Sequence, residues 1–121
     1  MAELQDRSVC VVGASGGLGA PISRLLAEAG ARLTLVGRDR SRLEDQVPVA
    51  AVVTADLRHA AAADTIVRGA VSAHGKLDGL VFAAGVVAFG PAVDLDDDVL
   101  VELFTVNALA PIRLLRAAGP W

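Results

Sequence analysis

The sequence predicts an α/β fold: a doubly wound parallel sheet, βαβαβαβα, with about four strands in the order 3-2-1-4. Three observations carry that expectation. Short apolar runs alternate with longer stretches of helical period. Hydrophobic residues make up 54% of the 121, chiefly Ala, Val and Leu, as strands covered on both faces require. The first apolar run also passes directly into a string of glycines, where such a sheet turns from strand into helix.

Ser8–Val12 is apolar, rich in β-branched residues and ends at Gly13, so it is the first strand. Gly17–Ala29 sets Leu18, Ile22, Leu25, Leu26 and Ala29 at helical spacing. Pro21 falls in its first turn, where a missing N–H is tolerated, and Gly30 supplies a stop. Arg32–Val36 is the second strand, and a short helix over Asp39–Gln46 ends before Pro48. Val49–Thr54 is the third strand. Arg58–Ala73 repeats apolar residues with helical period as far as His74-Gly75. Gly79–Ala84 is the fourth strand and Asp96–Ala118 a long last helix. This alternation implies right-handed crossovers with helices on both faces.

The composition excludes several function classes. A net charge of −3 and a single lysine, Lys76, leave no basic footprint for a phosphate backbone, so no nucleic acid is expected. No run approaches the roughly 18 apolar residues of a bilayer span, and Met1 to Ser8 lacks the regions of a signal peptide. A cytoplasmic protein with no membrane partner is expected. Cys10, the single cysteine, forms no internal disulfide and reads as core filler. Asp94, Asp96, Asp97 and Asp98 read as acids at a helix start, and His59 and His74 lack partners at ligand spacing. No metal is expected.

The informative stretch runs from Val11 to Gly19. Glycines there permit a tight turn and close backbone approach, while free amides and the helix dipole favour a pyrophosphate. Gly13, Gly17 and Gly19 form a G-x-x-x-G-x-G pattern. A phosphate loop of ATPases needs G-x-x-x-x-G-K-[ST], which is absent. Ser15 has no evident base and reads as a phosphate hydrogen-bonding group rather than a nucleophile.

This segment resembles the glycine motif T-G-x-x-x-G-x-G of the short-chain dehydrogenase/reductase family, with Val12 in the place of Thr. The resemblance covers essentially the whole chain in family order. It implies that residues 1–121 are the N-terminal part of a single NAD(P)-binding Rossmann domain. It also implies that Gly13, Ser15, Gly16, Gly17, Leu18 and Gly19 surround the pyrophosphate, and that Asp56-Leu57 contacts the adenine. Ala83-Ala84-Gly85, after Phe82, stands in the place of the family's N-N-A-G. Asn107 is similar to the helix asparagine that supports the catalytic proton relay. The residues themselves leave alternatives open. Asp56 equally suits a helix cap, and Ala83–Gly85 a close-packed strand end. Asn107, a poor helix former placed mid-helix, suits either a functional role or a backbone bend shared with Pro111.

At the end of the second strand, Gly37 stands where the family's NAD-specific acid would be, followed by Arg38. A guanidinium forks onto phosphate oxygens, so NADP is expected over NAD, with Arg40 and Arg42 adding positive potential. The plainer alternative is a solvated basic face on a short helix capped by Asp39.

Hydride transfer also needs a positioned acid–base group. The chain has no tyrosine, no serine after Ser72, and its only lysine precedes the fourth strand. The family's Y-x-x-x-K motif therefore has no match here. Strands five and six are missing too, which reads as a truncation that leaves strand four as an unpaired edge. The expected function is an NADP-dependent oxidoreductase moving hydride between nicotinamide and a carbonyl or alcohol, truncated before its catalytic Tyr and Lys and inactive alone. Its partners would be a small carbonyl or alcohol substrate and, when complete, further copies of itself. The alternatives are a non-catalytic dinucleotide-binding or interaction module, and an unstable fragment that binds nothing.

Overall fold

Strand β1 (Ser8–Val12) lies inside the sheet, and all five of its residues are buried. Its side chains alternate between two apolar clusters, Val9 and Val11 on one face, Cys10 and Val12 on the other. That double burial is why the run is apolar throughout. In the computed structural model, which describes residues 3–121, β2 (Arg32–Gly37) and β4 (Gly79–Phe82) flank β1. Strand β3 (Ala51–Thr54) lies outside β2. All pairs are parallel, and the order β3-β2-β1-β4 agrees with the sequence-based expectation. Val12 sits level with Val36 and Phe82, so the turns after β1, β2 and β4 gather at one end of the sheet.

Helices α1 (Gly19–Glu28) and α2 (Arg40–Glu44) cover one face, where Leu26 and Leu43 pack on Val9, Val11, Leu33 and Leu35. Helices α3 (Ala62–His74) and α5 (Ala110–Ala118) cover the other. There Ile66, Val67, Ala70 and Leu114 pack on Cys10, Val12 and Val36. Gly69 lets α3 close tightly, because a Cβ in its place would stand 2.5 Å from Val53 Cγ2. A single 3-10 turn (Ala92–Asp94) leads into α4 (Asp97–Phe104), which buries no residue of its own. Val101, Phe104, Ile112 and Leu115 are exposed along α4 and α5. Burial pushes the Cys10 thiol up to about 12, as suits a core filler rather than a reactive group.

Several ends differ from the sequence-based expectation, each for a local reason. Helix α1 starts at Gly19 rather than Gly17, because the preceding residues form a turn closed by Gly16 N–H to the Gly13 carbonyl at 3.2 Å. Strand β3 starts at Ala51, since Ala50 N–H closes a turn onto Val47 at 3.0 Å. Helix α2 is shorter than expected, and the Asp39 carboxylate caps it by accepting the Ser41 N–H at 3.0 Å. Helix α3 starts at Ala62 rather than Arg58, because two turns intervene, His59 N–H to Asp56 O and Ala62 N–H to His59 O, each 3.1 Å. It ends where expected, with Gly75 in the left-handed region at φ 77°. Strand β4 ends at Phe82, although Ala83 N–H still donates to the Val12 carbonyl at 2.8 Å.

The last helix follows one continuous path but is not α-helical throughout. Between α4 and α5 it widens into a π segment (Thr105–Leu109), with Ala110 N–H bonded five residues back to Thr105. Pro111 has no N–H to give the Asn107 carbonyl, so an α-helical bond there cannot form. Between Asn107 and Pro111 the helix thus departs from α geometry as a π segment, where a backbone bend was the expected alternative to a functional role.

Candidate dinucleotide cleft

The turn from β1 to α1 is built around two glycines with different neighbours. Gly13 has φ 83°, and a Cβ there would lie 2.6 Å from Ala84 N and 2.8 Å from Ala83 C. The turn thus rests directly on the chain leaving β4. At Gly19 a Cβ would overlap the Gly13 carbonyl oxygen, so this glycine lets the helix close onto the turn. Gly17 differs from both, having nothing within 4 Å of a built Cβ. Packing explains Gly13 and Gly19. It does not explain Gly17.

Amide accounting separates the same residues. Gly13 N–H and Ala14 N–H are both spent on the Val36 carbonyl, at 2.9 and 3.1 Å. Among the described residues, the N–H groups of Ser15, Gly17, Leu18 and Gly19 meet no backbone acceptor. They open the ten-residue helix α1, where the dipole adds partial positive charge. Leu18 is exposed and takes no part in the core.

A cleft of about 280 Å³ crosses the ends of the four strands beside this turn. It is lined by Gly13, Ser15 and Gly16 from the turn, and by Ala83, Ala84, Gly85 and Val86 from the exit of β4. Gly37 and Arg38 line it from β2, and Ala55, Asp56, Leu57 and Arg58 from the exit of β3. Glu102 and Val106 close it from the last helix. Of the residues expected at the cofactor, Gly17, Leu18 and Gly19 lie beside the cleft rather than in its wall.

Arg38 is exposed and forms no ion pair among the described residues. Arg40 pairs with Glu44 at 3.7 Å and Arg42 with Asp39 at 3.8 Å, and neither lines the cleft. Among the described residues, Arg38 is thus the guanidinium of the cleft wall that has no carboxylate partner. Gly37 lies against the Leu43 methyls, 3.4 Å from a built Cβ, and adds no side chain to the cleft wall.

Asp56 does not cap α3, whose first residue lies six positions later. Its carboxylate instead holds Arg58, accepting the backbone N–H at 3.0 Å and the side-chain Nε at 3.0 and 3.1 Å. Nη2 donates to Oδ2 at 2.6 Å. The Arg58 guanidinium holds the Asp56 carboxyl well below the usual carboxylate range.

Asn107 reaches the cleft's rear wall. Its Oδ1 accepts from Val86 N–H and its Nδ2 donates to the Val86 carbonyl. It also sits 3.2 Å from where a Gly85 Cβ would stand, so Gly85 admits the clamp. A second, more open depression, lined by Val86, Val87, Phe104 and Asn107 among others, adjoins it.

Sequence reasoning missed Arg58, Val86 and Glu102. The spacing of Asp56 and Arg58 resembles an Asx turn and was a usable signal. Glu102 carried none, since its approach depends on how α4 lies across the sheet. Lys76 pairs with Asp78 at 3.1 Å just before β4, at the sheet end opposite the cleft. Among the described residues no cluster of metal-ligating side chains occurs, and no helix is long and apolar enough to cross a membrane.

Comparison with known proteins agrees with this geometry. An uncharacterised oxidoreductase of Mycobacterium tuberculosis is 35% identical over 121 residues, covering 96% of this chain and 45% of its own. A metagenomic short-chain oxidoreductase solved in complex with NADP superposes with a TM-score of 0.92 at 36% identity, covering 98% of this chain and 57% of that one. A short chain dehydrogenase from Burkholderia cenocepacia, also in complex with NADP, gives 0.92 at 30% identity, covering 98% and 51%. The chain spans about half the length of the curated relatives it matches. The profile of the short chain dehydrogenases matches residues 7–121, and the chain belongs to that family.

Proposed function

We propose that this chain forms the cofactor-binding part of an NADP-dependent oxidoreductase that moves hydride between the nicotinamide and a carbonyl or alcohol carbon. The observation that carries the reading is the unpaired Arg38 beside side-chain-free Gly37, in one cleft with the Gly13–Gly16 turn that leads into α1. The relatives and solved structures named above are described as oxidoreductases or dehydrogenases, which supports an enzyme over a binding module.

In this reading the nicotinamide of the bound cofactor would give up hydride as NADPH or take it up as NADP, and the chain's residues bind and orient it. The amides of Ser15, Gly17, Leu18 and Gly19, with the Ser15 hydroxyl, hold the pyrophosphate. Arg38 forks onto the 2′-phosphate. Asp56 and Leu57 border the base, and Ala83, Ala84 and Gly85 offer bare backbone to the ribose side. Asn107 positions that backbone through Val86, a supporting role beside the reacting groups. The acid–base group is not a tyrosine of this chain, which has none. The proposal includes a small carbonyl or alcohol substrate, a cytoplasmic setting, and association of copies through the exposed apolar side chains of α4 and α5.

The test is titration of NADPH and NADH, followed by the fluorescence of the reduced nicotinamide. Arg38→Ala should weaken NADPH by about 10- to 100-fold, the scale of a lost charge-assisted pair, and NADH by less than about threefold. Equal losses would reject the preference for NADP. Absence of saturable binding would reject the reading as a whole.

A further inference from the structure

The carboxylate that borders the cleft is already occupied. An ionised carboxyl has about four lone-pair sites. At Asp56 three N–H groups of Arg58 take up these sites through four contacts, at 3.0, 3.0, 3.1 and 2.6 Å, the Nε–H being shared between both oxygens. One of them, to the backbone N–H, belongs to the turn that His59 N–H closes onto the Asp56 carbonyl. The other three come from the Arg58 side chain, which is 52% exposed to solvent. His59 adds its Nε2 at 3.8 Å from the same carboxylate. Both Asp56 and Arg58 line the cleft, and so does Glu102, whose negative charge also acts on Arg58 from α4.

Resting on the dinucleotide reading above, we propose that Arg58 is an internal competitor for the base: its guanidinium holds the Asp56 acceptor, and an incoming adenine amine must displace it, leaving Glu102 as its other carboxylate in the cleft. The chemistry follows from complementarity. Asp56 can only accept, and the exocyclic amine of adenine is a donor. With Arg58 in place, the same wall presents guanidinium N–H groups, which suit a carbonyl rather than an amine. Arg58 thus lowers the advantage of a 6-amino purine over a 6-oxo purine. An exposed ion pair is weak, so the displacement is within reach of a bound base.

The test compares NADPH with its hypoxanthine counterpart, which carries a 6-oxo group in place of the amine. Both are titrated into wild type, Arg58→Ala, Asp56→Ala and the double variant, by nicotinamide fluorescence. Far-UV circular dichroism and melting confirm that each variant is folded. Removing a positive charge weakens both ligands alike, so the readout is the ratio of their affinities. Arg58→Ala should raise the preference for the amine by about 1.5- to 5-fold, the range that a surface pair of this kind supplies. In the Asp56→Ala background the same change should leave the ratio unaltered. A ratio that stays level or falls in Arg58→Ala, with both ligands still bound, overturns the proposal and leaves the cofactor assignment standing. An equal shift in the Asp56→Ala background also overturns it. If neither ligand binds wild type or variant, both readings fall.

Discussion

Asn107 grips the backbone of Val86 at two points, Oδ1 accepting the N–H at 3.0 Å and Nδ2 donating to the carbonyl at 2.7 Å. A carboxamide alone among short side chains offers a donor and an acceptor side by side. An aspartate in its place would keep the acceptor and set a second oxygen against the Val86 carbonyl. Asn107→Asp and Asn107→Ala should each cost about 0.5–1.5 kcal/mol, the net worth of an ordinary hydrogen bond at an exposed side chain. In Asn107→Ala the Val86 amide should lose its protection in hydrogen exchange, and in Asn107→Asp, which keeps the acceptor, it should lose less. Unchanged exchange at Val86 would show that the clamp does not form in solution.

The glycines of the first turn divide into two kinds, and substitution should separate them. A Cβ at Gly19 overlaps the Gly13 carbonyl, so Gly19→Ala must push the helix off the turn. We expect a loss of about 2 kcal/mol or more, seen as a lower urea midpoint. At Gly17 a Cβ meets nothing within 4 Å, so Gly17→Ala should leave stability within about 0.5 kcal/mol. It should still weaken NADPH by about tenfold, or about 1.4 kcal/mol, by crowding the open amides. If the two variants lost stability equally, the distinction between packing glycine and ligand-facing glycine would not hold.

The sheet was legible because burial leaves a one-dimensional trace. Val9 to Val12, Leu33 to Val36 and their neighbours are covered on both faces, and continuous apolar runs report that directly. The stop at Gly75 was legible for a similar reason, since a left-handed residue after a helix calls for glycine. Helix starts were harder. Arg58 to Ala61 have helical composition, yet the Asp56 carboxylate captures the Arg58 N–H and delays the helix to Ala62. The π segment was half legible: Pro111 stands four residues after Asn107, but the way a missing bond is absorbed depends on packing. In the cleft, Arg38 and the turn glycines could be placed from strand ends alone. Arg58 and Glu102 could not, because one arrives by a side-chain fork and the other from α4.

Cys10 sets an alkaline limit on stability that can be worked out from its burial. The folded thiol is pushed up to about 12, whereas in the unfolded chain it titrates near 8.5, roughly. Below about 8.5 both states hold the proton and the thiol adds no pH dependence. Above it the unfolded state ionises first and the folded state does not. The unfolded chain then binds fewer protons, and stability falls as pH rises toward the folded value. The slope approaches about 1.4 kcal/mol per pH unit, giving a loss of about 1–2 kcal/mol by about pH 10. Few other groups confuse this window, because the chain has no tyrosine and one lysine, Lys76. Urea midpoints measured across this range should therefore decline in wild type and stay nearly level in Cys10→Val. Parallel declines in the two proteins would mean that the buried thiol is not the group responsible.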